Sequence, residues 1–214
     1  MYSVQCTVYI VLDTFFPSLW SMREILRSYL ADKHVELSEE QFNKWVSHFV
    51  ERKVKKHEFV LSEGEISKHI FFTVHGCLRL YAVDSKGKEH IMQFAPENWW
   101  IGDIDSSTNR IPSAYFIDAL EDSDILSMDI ISWEKSMNEI PPLAMLFQRL
   151  MQNRQTASQK RIITSMSATS EERYMEFIKT YPSLAQRIPQ HMIASYLGIT
   201  PESLSRIRKQ MVSR

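Results

Sequence analysis

A change of hydrophobic period at Pro141-Pro142 constrains the fold more than any other feature of the sequence. From Val54 to about Ile131, runs rich in β-branched and aromatic residues alternate with glycine-containing turn signals, a pattern typical of short antiparallel strands. The runs read EFVL, IFFTVHGCLRLYAV, HIMQFA, AYFIDAL and DILSMDI. After the two prolines, apolar residues recur every three or four positions, which is the period of a helix. We therefore expect an α+β chain in which an antiparallel β-roll of jelly-roll type precedes a helical part.

Helices are also expected before the roll, over residues 22–50. Ser38 and Gln41 have the spacing of a capping box, in which the two side chains satisfy each other's backbone N–H groups at a helix start. The apolar stripe expected on that helix consists of Phe42, Trp45, Val46 and Phe49.

The first 21 residues are apolar but lack a basic leader, and Asp13 interrupts them. Such a stretch is too short to span a bilayer and is a poor signal peptide. Met22 opens a more usual amphipathic stretch, so we expect the biological start there, with residues 1–21 as an upstream leader. No membrane partner is expected.

Cysteine and histidine usage excludes several kinds of site. The chain has two cysteines, Cys6 and Cys77, which rules out a disulfide framework and any four-cysteine cluster. A reducing cytoplasm fits this usage. The seven histidines show no His-x-His or His-Glu-x-x-His spacing, so no metal site is predicted. A haem held by His69, His75 or His90 is the alternative left open.

The stretch 141–166 is predicted to be one long helix that mediates dimerisation. Its narrow apolar seam contains one polar residue, a device that fixes the register between partner helices. We favour contact with a second copy over packing on the same protomer, and both stay open. The seam consists of Leu143, Leu146, Leu150, Asn153 and Ala157.

Residues 167–214 are predicted to be a small helical domain, with Ser170 capping its first helix. The stretch from Gln190 to Lys209 has the spacing of a helix-turn-helix. Ala194 stands where only a small side chain fits between two helices, and Gly198 where the turn needs a positive φ. Thr200-Pro201 suits the start of the second helix.

The outer face of that second helix carries side chains suited to a DNA major groove. Arginine can bond guanine, glutamate can accept from cytosine, and lysine and serine can hold phosphates. The expected DNA-binding residues are Gln190, His191, Thr200, Glu202, Ser203, Ser205, Arg206, Arg208 and Lys209. The charge distribution agrees, because residues 151–214 carry ten Lys/Arg against four Asp/Glu, a net charge of +6 that leaves −7 for residues 1–150.

Over residues 22–211 the chain resembles the Crp/Fnr (catabolite activator) family of bacterial transcription factors. The segment ITPESLSRIRK resembles the family's recognition helix, and WIGDIDSSTNRIPSAYFIDALEDSDILSM resembles its phosphate-binding cassette. The resemblance implies a cyclic-nucleotide-binding-like sensor domain at 22–140, the dimerisation helix at 141–166 and the reading domain at 167–214. It also implies RNA polymerase as a partner, and Glu202 and Arg206 as base-contacting residues.

The sequence departs from the family pattern in three places. Pro201 stands where some members keep an arginine. Family members usually continue after the recognition helix into a β-hairpin called the wing. Three residues follow Met211 here, so the wing is expected to be truncated, and Arg208, Lys209 and Arg214 are expected to matter more for contacts with the DNA backbone. The cassette opens with Gly102-Asp103 instead of Gly-Glu and closes with Ser113-Ala114 instead of Arg-Ser/Thr.

The candidate ligand pocket is therefore Asp103, Arg110, Ser113 and Ala114, without the usual cation. Burying a phosphate without a charged partner loses about 1.5–3 kcal/mol, and Pro112 restrains Arg110 from replacing it. Cyclic AMP is not expected as the effector, and no other cofactor is identified. Trp99-Trp100 could wall a pocket for a flat apolar ligand, although a place in the core is favoured.

The sequence thus predicts a cytoplasmic, homodimeric regulator that is not an enzyme and that binds a pseudo-palindromic DNA site. A non-DNA-binding interaction protein with the same fold is the alternative. A β-roll metalloenzyme of cupin type would need a histidine cluster that the chain lacks.

Overall fold

The computed structural model describes residues 22–212, so the expected leader at 1–21 and Arg214 lie outside the described residues. The chain begins with α1 (Met22–Asp32) and α2 (Glu39–Val46). The capping box is confirmed, since Ser38 Oγ accepts from Gln41 N at 3.2 Å and Gln41 Oε1 accepts from Ser38 N at 3.0 Å. Phe49 was wrongly placed on this helix: α2 ends at Val46, and Phe49 begins the first strand.

Within the described residues, eight strands form the predicted antiparallel roll, in two four-stranded sheets. The strands are β1 (Phe49–Val54), β2 (Phe59–Leu61), β3 (His69–His75), β4 (Leu78–Val83), β5 (Glu89–Ala95), β6 (Trp100–Ile101), β7 (Phe116–Ala119) and β8 (Ser123–Asp129). The first sheet has the order β1-β8-β3-β6 and the second the order β2-β7-β4-β5. All of the observed pairings are antiparallel, as alternating short strands joined by tight turns require.

The space between the two sheets is filled by apolar side chains from both, including Phe71, Leu78, Ile101, Ile117 and Ile125, each at most 2% exposed. Such alternation of inward and outward residues is what two packed sheets need. The other face of the first sheet is covered by α1, α2 and the start of a long helix.

Two short helices interrupt or follow the roll. Helix α3 (Ile104–Asn109) lies inside the cassette, and α4 (Ile130–Glu139) follows β8 directly. The expected strand up to Ile131 is therefore wrong at its end. Asp129 stops the strand because its carboxylate accepts from the backbone N–H groups of Ile131 and Ser132, at 3.1 and 3.0 Å, and so caps α4.

The helical part begins with α5 (Pro141–Ser167), a single helix of 27 residues, as predicted. It is followed by α6 (Ser170–Thr180), α7 (Leu184–Arg187), α8 (Gln190–Leu197) and α9 (Pro201–Val212). The predicted cap of α6 is off by one residue. Thr169 is the N-cap, and its hydroxyl and the Glu172 carboxylate form the capping box, whereas Ser170 is the first helical residue.

The unit of α6 to α9 packs on the outer face of the second sheet. Phe94 of β5 is fully buried there, with its ring centroid 6.1 Å from that of Phe177 and 5.4 Å from that of Tyr196. The same apolar cluster extends through Ile193 to Leu204. The unit of α6 to α9, called the reading unit below, therefore shares one core with the roll in this protomer.

Candidate nucleic-acid interface and effector site

Helices α8 and α9 form the predicted helix-turn-helix frame. Ala194 is completely buried at the contact between them, and Leu204 is its buried counterpart on α9. Gly198 ends α8 with φ of +66°, a left-handed conformation that a side chain would strain. Ile199 N then donates to Ala194 O at 3.0 Å, which closes the helix end and turns the chain towards α9.

The start of α9 is capped as the sequence predicts. Thr200 Oγ1 accepts a 3.2 Å hydrogen bond from Ser203 N, and Pro201 is the first helical residue. This arrangement fixes the direction in which α9 leaves the turn, and it leaves the first-turn N–H groups close to the protein surface.

The outer face of α9 carries the expected polar side chains. Glu202, Ser205, Arg206 and Lys209 are exposed, and Ser203 and Arg208 are half-buried. The charged form of Glu202 is favoured, since its own backbone N–H and the Thr200 hydroxyl lower the pKa of its carboxyl group. At the start of α8, Gln190 and His191 are exposed as well.

The cassette is closed by its own hydrogen bonds. Asp103 is the N-cap of α3, and its Oδ1 accepts from Ser106 N at 3.2 Å. Its Oδ2 accepts from the Ser113 hydroxyl at 2.7 Å, and Ser113 Oγ in turn accepts from Tyr115 N at 3.1 Å. Asp103 and Ser113 are 7% and 3% exposed, so both point into the protein.

The other two residues of the candidate pocket do not join them. Arg110 is exposed at the C-terminal end of α3 with φ of +53°, and Ala114 is exposed beside Ser113. The structure therefore brings together two of the four predicted pocket residues, and Arg110, the cation among the four, is not one of them.

The first part of the predicted dimer seam of α5 faces its own protomer, whereas the role of the helix in dimerisation stays a prediction. Leu143 and Leu146 are 0% and 1% exposed within the core under the first sheet, so they are not available to a second copy. Leu150 packs against the same core, whereas Asn153 and Ala157 are exposed at the edge of a cavity on the same side of the helix. The leucines at the start of the seam are therefore explained by intramolecular packing, which has the same period as a dimer seam.

A different set of α5 side chains remains open to solvent. The exposed apolar residues on the opposite side are Met145, Ile162, Ile163 and Met166, each between 58% and 84% exposed. Met145, Ile163 and Met166 share a face of the helix that points away from the roll, and Ile162 lies at the edge of that face beside the cavity.

Polar contacts between the roll and the reading unit were not apparent in the sequence. The Ser195 hydroxyl donates to Glu89 O at 2.8 Å and accepts from Ile91 N at 3.2 Å, which attaches α8 to β5. Arg187 donates to both oxygens of Glu97, at 2.8 and 2.9 Å, and also to the Glu121 carboxylate. Sequence reasoning missed them because the partners lie 66 to 106 positions apart and carry no local pattern.

Within residues 22–212, no three metal-binding side chains come together as a cation site would require. His90, one of the three candidate haem ligands, lies instead 2.8 Å from the Asp84 carboxylate. None of the helices in this range combines the length and the hydrophobicity needed to cross a bilayer.

Comparison with known proteins agrees with this architecture. Residues 51–139 match the model of the cyclic nucleotide-binding domain. The transcriptional activator protein anr of Pseudomonas aeruginosa is 23% identical over 167 residues, covering 73% of this chain and 68% of that protein. The transcriptional regulatory protein btr of Bordetella pertussis is 28% identical over 144 residues, covering 62% of this chain and 58% of that protein.

Solved structures show the same fold. FixK2 from Bradyrhizobium japonicum superposes with a TM-score of 0.69 at 20% identity, over 77% of this chain and 85% of that one. The catabolite activator protein of Thermus thermophilus superposes with a TM-score of 0.52 at 17% identity, over 83% and 84%. The chain thus contains a match to the cyclic nucleotide-binding domain, is similar in sequence to two transcriptional regulators, and shares the fold of FixK2 and the catabolite activator protein.

Proposed function

We propose that the chain acts as a homodimer on a pseudo-palindromic DNA site, with α9 in the major groove of each half-site. The observation that carries this proposal is the outer face of α9, where Glu202 and Arg206 are exposed one turn apart on a helix whose inner face is buried. Half-sites one helical turn apart are expected, because each protomer presents one reading helix to the same side of the duplex.

In this proposal Glu202 and Arg206 contact bases, whereas Gln190, His191, Thr200, Ser203, Ser205, Arg208 and Lys209 contact the backbone or support those contacts. A bidentate arginine–guanine contact discriminates against other base pairs by about 1–3 kcal/mol. Phosphate contacts add affinity that does not depend on sequence and that falls with salt.

Dimerisation through α5 would use its solvent-facing side, with Ile162, Ile163 and Met166 as its apolar part. Two copies related by a twofold axis would then place both reading helices on one DNA face. RNA polymerase is the proposed downstream partner. The relatives anr and btr are both transcriptional regulators, which favours a protein that is not an enzyme.

Selection of bound fragments from a random DNA library tests the proposal, with the wild type beside Arg206→Ala and Lys209→Ala. We expect the Arg206 variant to lose discrimination at one base pair per half-site. The Lys209 variant should bind all sequences more weakly and with a shallower salt dependence. Absence of DNA binding even at low salt would favour the alternative, an interaction protein that keeps this fold.

A further inference from the structure

Two consecutive residues of α8 face different partners. Ala194 is completely buried against α9, where Leu204 is its counterpart. Ser195 is half-buried, and its hydroxyl donates to Glu89 O at 2.8 Å and accepts from Ile91 N at 3.2 Å, both in β5. Helix α8 therefore joins α9 to the roll, and the position of α9 on the roll depends on how α8 is attached.

The Ser195 hydroxyl occupies a place that a neighbouring strand would take. Within the described residues, β5 lies at the edge of the second sheet, with β4 as its one strand partner. Backbone N–H and C=O groups along an edge strand lack ladder partners, and a hydroxyl that donates and accepts satisfies one of each. Such hydrogen bonds form only within a narrow range of distance and angle, so this contact fixes where α8 lies along β5.

A second attachment lies just before α8, at Arg187. Its guanidinium donates to both oxygens of Glu97, at 2.8 and 2.9 Å, and to the Glu121 carboxylate. Glu97 lies in the turn after β5, and Glu121 lies between β7 and β8. Because the two carboxylates would repel each other without a shared cation, Arg187 stabilises this corner of the roll as well as the docked reading unit.

The roll holds the two acids in place through hydrogen bonds of its own. Glu97 Oε1 accepts from Gly76 N at 3.0 Å. Ser123 Oγ donates to Glu121 O at 2.8 Å and accepts from Cys77 N at 3.3 Å. Gly76 has a φ of +90°, and a Cβ atom there would lie 2.2 Å from Ser123 Oγ, so the turn fits glycine alone. Arg187 is therefore attached to a fixed point of the second sheet.

The contact between these two attachments is aromatic. The Phe94 ring centroid of β5 lies 5.4 Å from that of Tyr196 and 6.0 Å from that of Tyr181. Burial of apolar surface is the main favourable term in such a contact, and it is non-directional. The rings therefore hold the reading unit on the roll but leave it free to slide or tilt, whereas the hydrogen bonds of Ser195 and Arg187 set its orientation.

Helix α5 belongs to the same body. Leu143 and Leu146 are buried in the core under the first sheet, so the first part of α5 is fixed to the roll that also carries α8. The roll thus connects the helix proposed for dimerisation with the helix proposed for base contacts. In a dimer, the distance and the angle between the two α9 helices would follow from the attachment of each reading unit.

We propose that Ser195 and Arg187 are positioning residues that determine which half-site spacing the dimer accepts, whereas Glu202 and Arg206 determine which bases it reads. This role rests on the proposed function. One additional base pair between the half-sites moves the second half-site by about 3.4 Å and rotates it by about 35° around the duplex. A reading unit attached at both Ser195 and Arg187 does not follow that change, whereas one held by its aromatic contact alone does.

Competitive binding of DNA duplexes tests this proposal. Each duplex carries the two half-sites that the random-library selection identifies, with a spacer that is one base pair shorter, equal or one base pair longer. We expect the wild type to bind the two changed spacers about tenfold or more weakly, because the DNA has to be deformed. For Ser195→Ala and Arg187→Met we expect a loss of less than about threefold, because a loosened reading unit follows the spacer instead. Their base preference within each half-site should be that of the wild type.

Four further variants serve as controls. Arg187→Lys keeps a cation beside both acids and should restore most of the spacing preference. Ser183→Ala and Lys179→Met change exposed side chains of the same reading unit and should keep the wild-type preference. Arg206→Ala should show the reverse pattern, with weaker base discrimination and an unchanged spacing preference. Cooperative urea unfolding shows that each variant is folded.

Hydrogen exchange of the backbone amides measures the attachment without DNA. Ser195→Ala should speed exchange in β5, above all at Ile91 N, and leave exchange in β3 of the other sheet unchanged. Exchange in β5 as slow as in the wild type would overturn the proposal, as would a spacing preference of Ser195→Ala and Arg187→Met as narrow as that of the wild type. A joint loss of base preference and spacing preference in these variants would also overturn it, because it would mean that the α8–α9 frame itself is disrupted.

Absence of DNA binding by the wild type would overturn the proposed function and, with it, the role in spacing. The exchange measurement would still decide whether Ser195 holds α8 on β5, so the two failures are distinguishable.

Discussion

The Ser113 hydroxyl donates a 2.7 Å hydrogen bond to the Asp103 carboxylate, and both groups are almost completely buried. In the Crp/Fnr family, which the sequence resembles, nucleotide-binding members have an arginine at the position of Ser113. Asp103 is occupied as well, because its second oxygen caps α3 through Ser106 N. The cassette therefore holds an internal hydrogen-bond network in the place where a cyclic phosphate would need a cation.

We predict that cyclic AMP does not bind at the cassette, and that Asp103→Ala destabilises the roll by about 2 kcal/mol. The substitution removes an N-cap and leaves the buried Ser113 hydroxyl without its acceptor. Calorimetric titration with the nucleotide and urea unfolding measure the two effects. Arg110→Ala, which changes an exposed side chain, is the matched control and should change neither. Micromolar binding of cyclic AMP by the wild type would contradict the prediction.

A buried ion pair in the second sheet leads to the next prediction. Arg79 of β4 donates to both oxygens of Asp118 of β7, at 2.7 and 2.9 Å, and also to the Glu89 carboxylate. Burial alone would lower the pKa of Arg79, but its hydrogen bonds to Asp118 and Glu89 raise that pKa overall. Arg79 and Asp118 are 4% and 2% exposed, so neither has water as an alternative partner.

Asp118→Ala should therefore lower the free energy of unfolding by at most about 3–5 kcal/mol, because it leaves the buried Arg79 with the Glu89 carboxylate as its remaining partner. The double variant Arg79→Met/Asp118→Leu, which removes both charges, should be more stable than Asp118→Ala alone. Urea unfolding of the three proteins measures the difference. A double variant less stable than Asp118→Ala would contradict the prediction, because it would mean that Arg79 stabilises the sheet even without Asp118.

The sequence indicates those parts of the fold that local patterns determine. The Ser38–Gln41 capping box, the turn at Gly198 and the start of α9 at Thr200-Pro201 each depend on residues at most four positions apart, and each is found as expected. Boundaries were missed where one residue competed with its neighbour for a cap, as at Thr169 and at Asp129. Such choices depend on hydrogen-bond geometry that period alone does not contain.

Long-range packing was less predictable. The stripe of Leu143 and Leu146 has the period of a dimer seam, but the same period serves a helix that packs on its own roll, and only the position of the first sheet decides between the two. The cavity between the roll and α5, which Arg154 lines, could not be predicted for the same reason. Its walls come from segments as far apart as Tyr29 and Gly198, so no local motif marks it.

The contact between α8 and α9 supports a prediction on the frame of the reading unit. Ala194 is completely buried between the two helices, and the neighbouring Leu204 is equally buried. Ala194→Leu should overpack this contact and cost about 1–3 kcal/mol. DNA affinity should fall with it, because α9 would be displaced. Ser205→Ala, on the exposed face of α9, is the control for stability. Near-UV circular dichroism and urea unfolding measure the change, and an Ala194→Leu protein as stable as the wild type would contradict it.

The ion pairs of Arg187 predict how the docking of the reading unit depends on pH. Glu97 is half-buried, and burial raises the pKa of its carboxyl group, but the hydrogen bonds from Arg187 and from backbone N–H groups together outweigh this effect and lower the pKa below its ordinary value of 4.5. A carboxyl group with a lowered pKa in the folded state contributes stability that is fully present above the ordinary value. That stability is lost as the pH falls through the lowered value.

We therefore expect the wild type to be more stable than Glu97→Gln at neutral pH, and the difference to shrink between about pH 5 and 3. Arg187→Met should reduce the same pH-dependent contribution, because it removes the main partner that lowers the pKa of Glu97 and leaves the backbone N–H of Gly76. Urea unfolding at a series of pH values measures the differences, with tryptophan fluorescence as the signal, since Trp99 lies with its ring centroid 5.3 Å from that of Tyr181 at this contact. A difference between wild type and Glu97→Gln that stays constant across this range would show that the pair does not hold the reading unit against the roll.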